Sequence, residues 1–469
     1  MHRRTGAVLA AAVLTVLSVV PAAAPAQAEP GWRQVPAAAA PVSNPLKGLL
    51  PFAPQPGEQP SFSPDAPPYT MEWIYLPLDR VVTGPGQYDW SLLESSLDAV
   101  AARGHQSALR FYVDFPGRDS GLPDYLTDRN LVKVRHYTAH GNKTSVSPDY
   151  DDPDLMAMLT GFIKAVGARY DGDPRIGYIT QGLVGFWGES HTWPYDGSVS
   201  EQNPNGENWM PTRENQAALV AAWDRAFNTT PTQVRYPSAA SRAHAVGYHD
   251  DSFSYSTLPQ QDWHFWSLMT AQGTTESWRT QPTGGEIYPP IQSCAFDVPQ
   301  RCQQAVGVPA QDIDQAVATT HVTWLISHRS FESGLTGAAR DHALRVSSRM
   351  GYTLAVPRWR YERASGRLEI EVASTGVAPF PYDWELEAVA VDSRGATIGS
   401  TRLDGDLRQA APGGRTLLTG TLTTPPQATA TILFRAVNPL PTGVPLRFAS
   451  AGQDTTRPGY LTLGQAPAR

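Results

Sequence analysis

Between Thr70 and about His328, short β-like runs alternate with amphipathic stretches, the pattern of βα repeats wound around a parallel sheet. The runs that predict strands are Met71–Leu78, Gln106–Val113, Ile176–Val184, Gln233–Tyr236, Val246–Tyr248, Gly284–Ile287 and Val322–Ile326. A further run at Gly48–Phe52 completes a set of eight. Apolar residues at helical spacing predict helices over Trp90–Arg103, stopped by Gly104, and over Leu155–Tyr170. Eight such units close more economically into a (β/α)8 TIM-type barrel than into an open doubly wound sheet. From about Tyr352 the period changes to strict alternation, in segments such as Leu368-Glu-Ile-Glu-Val-Ala373 and Ala430-Thr-Ile-Leu-Phe-Arg-Ala-Val437. Short strands at near-regular spacing predict an antiparallel β-sandwich. The expected division is therefore a barrel over 42–350 and a sandwich over 351–469, the sandwich buttressing the barrel.

The N-terminus has its own pattern. Met1-His-Arg-Arg4 precedes an apolar run from Ala7 to Val20 and a small-residue A-x-A site ending at Ala28, which predicts a signal peptide over 1–28 and secretion to the extracellular space. The Ala/Pro-rich stretch 29–41 predicts a flexible leader. No later run reaches the ~18 apolar residues of a membrane span. A net charge of −7, with no block of Lys or Arg, argues against a nucleic-acid partner. The two cysteines, Cys294 and Cys302, close one short loop and in an oxidising compartment predict a disulfide. No metal-ligand spacing surrounds them and no cofactor motif occurs elsewhere, so neither a metal nor a cofactor is expected. The 13 Trp and 18 Tyr fall mostly before the β-rich tail; such rings either fill cores or stack on sugars.

In a TIM-type barrel, chemistry sits where strands end at the C-terminal face. Glu189 stands there in Gly185-Phe-Trp-Gly-Glu-Ser-His-Thr-Trp193, among Trp187, His191 and Trp193, and Glu286 follows Gly285 in another run. Glycosidic cleavage needs two carboxyl groups flanking the bond, one to protonate the leaving oxygen and one to attack or to activate water. Glu189 and Glu286 are the expected catalytic pair. Tyr75, Trp187, Trp193 and Tyr288 are expected as stacking walls, with Arg110 and His191 tuning the acids. Asp114, Arg235 and Trp324 are further expected substrate contacts, and His249, Asp250 and Asp251 either contact substrate hydroxyls or cap the helix that follows. The cluster Asp149, Asp151, Asp152 and Asp154 lacks the glycine and glutamate of a calcium loop and precedes a helix, so helix capping is the expected role.

Two resemblances sharpen this reading. Met71-Glu-Trp-Ile-Tyr75, Gly86-Gln-Tyr-Asp-Trp90, Leu109-Arg-Phe-Tyr-Val-Asp114 and Gly121-Leu-Pro-Asp-Tyr-Leu126 are similar to the second and third βα units of clan A glycoside hydrolases, especially the β-galactosidase branches. That resemblance implies Glu189 after the fourth strand as acid/base and Glu286 on the seventh as nucleophile, in a retaining mechanism. It departs at Gly188, where clan A usually has an Asn that contacts the sugar 2-hydroxyl. The chain more closely resembles an uncharacterised bacterial family carrying domain of unknown function 4832, through Asn44-Pro-Leu-Lys-Gly48, the Gly185–Pro194 run, Gly247-Tyr-His-Asp-Asp-Ser-Phe253 and the β-rich tail.

The expectation is thus a secreted glycoside hydrolase acting on a polysaccharide or glycoconjugate. The rival reading is a non-catalytic carbohydrate-binding or cell-envelope protein using the same cleft.

Overall fold

All eight strand-like runs form strands in a computed structural model, which describes residues 31–422 and 429–466. The expected signal peptide lies outside the described residues. The strands are β1 (Gly48–Leu50), β2 (Met71–Pro77), β3 (Gln106–Tyr112), β4 (Ile176–Thr180), β5 (Thr232–Val234), β6 (Gly247–Phe253), β7 (Thr283–Ile287) and β8 (Trp324–Ile326). They pair in parallel in the order β1-β8-β7-β6-β5-β4-β3-β2, and a parallel bridge from Phe52 to Trp73 joins the two end strands. This strand order, with helices between strands, matches a (β/α)8 barrel.

Helix α1 (Ser91–Ala102) follows β2, α2 (Pro153–Tyr170) follows β3 and α3 (Arg213–Ala226) follows β4. Asp152 starts α2 by accepting bonds from the amides of Asp154 and Leu155, with Pro153 in the first helical position. Its neighbour Asp151 ties the start of α3, accepting from Thr212 and Asn215. Leu93, Leu97 and Val100 of α1 and Leu155, Leu159, Phe162 and Val166 of α2 are buried with Leu109 and Phe111 of β3.

Inside the barrel, side chains two residues apart along each strand share the inner face. The lower layer is aromatic: Trp73, Tyr178 and Trp324 pack together, with ring centroids 5.7 and 5.9 Å apart. Gly284 is needed beneath them, since a Cβ there would lie 2.1 Å from the Trp324 ring. The upper layer is polar, and Tyr75, Arg110, Thr180, His249, Asp251 and Glu286 occupy it.

The C-terminal part forms two four-stranded antiparallel sheets. One contains β9 (Leu354–Glu362), β10 (Arg367–Ser374) and β13 (Arg415–Thr421); the other contains β11 (Leu386–Val391), β12 (Thr397–Arg402), β14 (Ala430–Ala436) and β15 (Leu461–Ala466). Their apolar faces join one hydrophobic cluster that continues into Leu46, Met71 and Trp73 of the barrel. Polar ties cross the same junction: Tyr382 donates to the Gly177 carbonyl at 2.6 Å, and the buried Lys47 ammonium donates to the carbonyls of Tyr352 and Ser348 at 2.6 and 2.8 Å. Arg33–Gln34, within the expected leader, is an edge strand paired with Trp359 and Arg358 of β9. That ordered pairing corrects the expectation of flexibility for this part of the segment, because β9 offers it a free backbone edge.

Candidate active site

Arg110 organises the barrel mouth. It lies in β3 on the inner face and is 1 % exposed, so its guanidinium must find partners within the barrel. Nε donates to Thr180 at 2.7 Å, Nη1 to the Tyr75 hydroxyl at 3.0 Å and Nη2 to Asp251 at 2.8 Å. Nη1 also faces Glu189 Oε1 at 3.6 Å. Asp251 accepts a second contact from His249 Nδ1 at 3.0 Å. Arg110 and His249 hold the Asp251 carboxyl far below the usual carboxylate range, against its burial. Burial, in turn, lowers the His249 pKa despite Asp251.

Glu189 reaches this cluster from a loop of unusual backbone. Leu183, Trp187 and Ser190 all have positive φ, as do Gly185 and Gly188. Each such non-glycine residue costs about 1–3 kcal/mol, and strain of this kind gathers at functional sites. Gly188 has φ +66°, and a Cβ there would sit 3.1 Å from the Phe111 carbonyl and 3.2 Å from Arg110 Cδ. The position where clan A has asparagine is therefore pressed against β3, and a longer side chain would displace Arg110. Arg235, just past β5, closes on Glu189 Oε2 in an ion pair, and His191 Nε2 stands 3.5 Å from the same oxygen.

Glu286, on the inner face of β7, is 7 % exposed. Burial pushes its carboxyl well above the usual range; the negative charges of Glu189 and Asp251 add to the effect and Arg110 opposes it. Gln292 donates to its Oε1 at 3.1 Å. The two acids thus meet different surroundings: Glu286 is buried beside other carboxylates, and Glu189 stands among guanidinium groups.

Aromatic rings surround these acids. Trp187 packs on His191 and on His140, with centroids 5.7 and 4.8 Å apart, and His140 leads to Trp193, which is 53 % exposed. Tyr236 lies beside Arg235 at 5.2 Å and is itself exposed. Tyr288 stacks on Tyr255 at 4.3 Å.

Three expected contacts require correction. Trp324 is fully buried in the lower aromatic layer, at the start of β8 rather than its end. Asp114 is fully buried too; it accepts bonds from Tyr137 and from Ser145 at 2.7 Å, tying down the 115–150 insertion. Asp250 points away from the mouth and accepts from Thr257 at 2.6 Å and from the Ser252 amide at 3.0 Å. His249 is 1 % exposed and supports Arg110 and Asp251 from below. Thr180 and Tyr236 are members the expected set lacked, and the phase of β6, which puts Asp251 on one face with His249, would have separated Asp251 from Asp250. Glu72, charged and on β2, faces outward to Arg103 and His105. Cys294 and Cys302 form a disulfide in the connection after β7.

No family model matches the chain, and comparison with curated proteins finds no match. Solved structures similar to it include glycoside hydrolases. The catalytic domain of a β-amylase from Paenibacillus polymyxa is 8 % identical, with a TM-score of 0.36, over 60 % of this chain and 91 % of that one. A GH113 β-1,4-mannanase is 11 % identical, with a TM-score of 0.31, over 65 % and 99 %. An Anoxybacillus α-amylase is 10 % identical, with a TM-score of 0.30, over 76 % and 87 %.

Proposed function

We propose that the barrel mouth is the active site of a secreted glycoside hydrolase, related to the domain of unknown function 4832 family, that cleaves a polysaccharide or glycoconjugate with Glu189 and Glu286 as its carboxyl pair. The observation that carries this reading is the pair itself: two acids from β4 and β7 converge on one mouth in opposite electrostatic settings. Separation of two carboxyl groups by environment is how one site holds an acid and a base at the same pH. Glu286, buried and proton-bearing, is the member suited to protonate the leaving oxygen. Glu189, gripped by Arg235 and facing Arg110, is the carboxylate suited to attack or to direct water, in a retaining or an inverting sequence. This order is the reverse of the one the clan A resemblance implies. Trp187, Trp193 and Tyr236 supply ring faces for the sugar, and the C-terminal sheets, read as a sandwich, brace the barrel from below.

One observation favours the rival reading of a binding protein. Glu189 already meets Arg110, Arg235 and His191, and a carboxylate so engaged is costly to redirect toward a substrate. The two readings separate in one experiment: product release from a panel of bacterial and plant polysaccharides, by wild type, Glu189→Gln and Glu286→Gln. The hydrolase reading expects release by wild type and a loss of about 10²-fold or more in each variant. Retention of a bound glycan with no product from any of the three supports the binding protein.

A further inference from the structure

The connection from β1 to β2 carries no helix among the described residues, so this seam of the barrel lacks the cover that the other strands have. A cavity of about 400 Å³ opens there at the C-terminal face, between the strand ends and the first turns of α1. Phe52, Tyr75 and Tyr112 give it ring faces, and Arg80 and Arg118 are the charged residues on its wall. No carboxylate is among the lining residues; Asp79 and Asp119 stand near enough to act on Tyr112, but outside the lining. The Arg118 guanidinium rests 4.2 Å from the Phe115 ring centroid, a contact that sets its direction, and its charge acts on Tyr112.

This cavity and the surroundings of the carboxyl pair share the side chain of Tyr75. The Tyr75 ring lines it while the Tyr75 hydroxyl accepts from Arg110, and Arg110 faces Glu189. The volume falls within the ~300–1,000 Å³ usual for small-ligand sites. Ring faces suit the apolar side of a pyranose. Two guanidinium groups without a competing acid on the wall suit a carboxylate, which a planar fork can grip with paired hydrogen bonds.

We propose that the seam cavity is a subsite for an anionic sugar, specifically a uronate residue of the glycan presented to Glu189 and Glu286; the connection to cleavage rests on the hydrolase reading above. The test is an NMR titration of the full chain at low salt with glucuronate, glucose 6-sulfate, glucose and acetate, on wild type and on the Arg80→Gln/Arg118→Gln double variant. Both arginines are exposed, so the variant is expected to fold. Glucuronate should bind about tenfold or more tightly than glucose or acetate, and the preference should vanish in the double variant. Equal binding of glucuronate and glucose, or a preference that survives the double variant, overturns the proposal. Acetate binding as tightly as glucuronate overturns it in favour of a bare anion site, and tighter binding of glucose 6-sulfate overturns the uronate assignment. Because binding is read without turnover, a failed hydrolysis assay leaves this result standing. Conversely, cleavage of neutral glycans with no uronate preference keeps the carboxyl pair and removes the subsite.

Discussion

Asp250 and Asp251 are neighbours in sequence and face opposite sides of β6. Asp251 points into the barrel and pairs with Arg110, whereas Asp250 bonds with Thr257 and the Ser252 amide outside it. The sequence did not distinguish them because the apolar run ends at Tyr248, so the acidic residues read as a loop. In fact β6 continues to Phe253, and strand alternation then assigns His249 and Asp251 to one face. The two positions should respond differently to substitution. Asp251→Asn leaves a buried guanidinium without its counter-charge and should cost about 3–5 kcal/mol. Asp250→Asn replaces one oxygen that accepts from an uncharged partner and should cost about 1 kcal/mol. Denaturant midpoints of the two variants check this ordering; equal losses would mean that Arg110 is held by its other partners. Glu189 and Glu286 were marked as candidates because each follows glycine in a run that reads as a strand tip, but their different surroundings were not legible, since these depend on charges brought from β3, β6 and the segment after β5.

At the scale of elements, the eight barrel strands were legible because each is a short run set between amphipathic or turn-rich stretches and buried over nearly its whole length. The strand β12 was not: Thr397–Arg402 has no buried residue, so no apolar alternation marks it. The segment 115–150 was also opaque, being an insertion with little periodicity that is held to the tip of β3 through Asp114. Tyr137 and Ser145 both bond to that carboxyl, which burial pushes up to about 7 from 3.8. Because the folded protein holds this proton where the unfolded chain has lost it, Asp114 lowers stability progressively as pH rises from about 4 to about 7. Above that the effect is constant, at up to about 4 kcal/mol from three pH units at about 1.4 kcal/mol each. Asp114→Asn, neutral throughout, should therefore lose less Tm than wild type between those pH values. Identical slopes in the two proteins would show that Asp114 ionises normally.

At the scale of the molecule, the expected boundary near residue 350 is visible in the change of period but not in the packing. One apolar cluster runs from Trp73 and Tyr178 in the barrel to Ile370, Ala388 and Phe434 in the two sheets, and the ties through Lys47 and Tyr382 cross the same junction. Burial shared in this way couples the two parts, so calorimetry should give a single unfolding transition; two resolved transitions would mean that each part holds its own core. The same whole-molecule assembly creates the site, because β3, β6, β7 and the segments that follow β4 and β5 each bring an ionisable group to the mouth. The claim on which the functional reading depends is that this field holds the Glu286 proton well above the ordinary carboxylate range. Infrared difference spectra of wild type minus Glu286→Gln, followed across pH, measure it directly. The expected result is a protonated-carboxyl carbonyl band that is absent from the variant and persists well above the ordinary carboxylate range. A carboxylate signal at neutral pH, titrating in the ordinary acidic range, would contradict it.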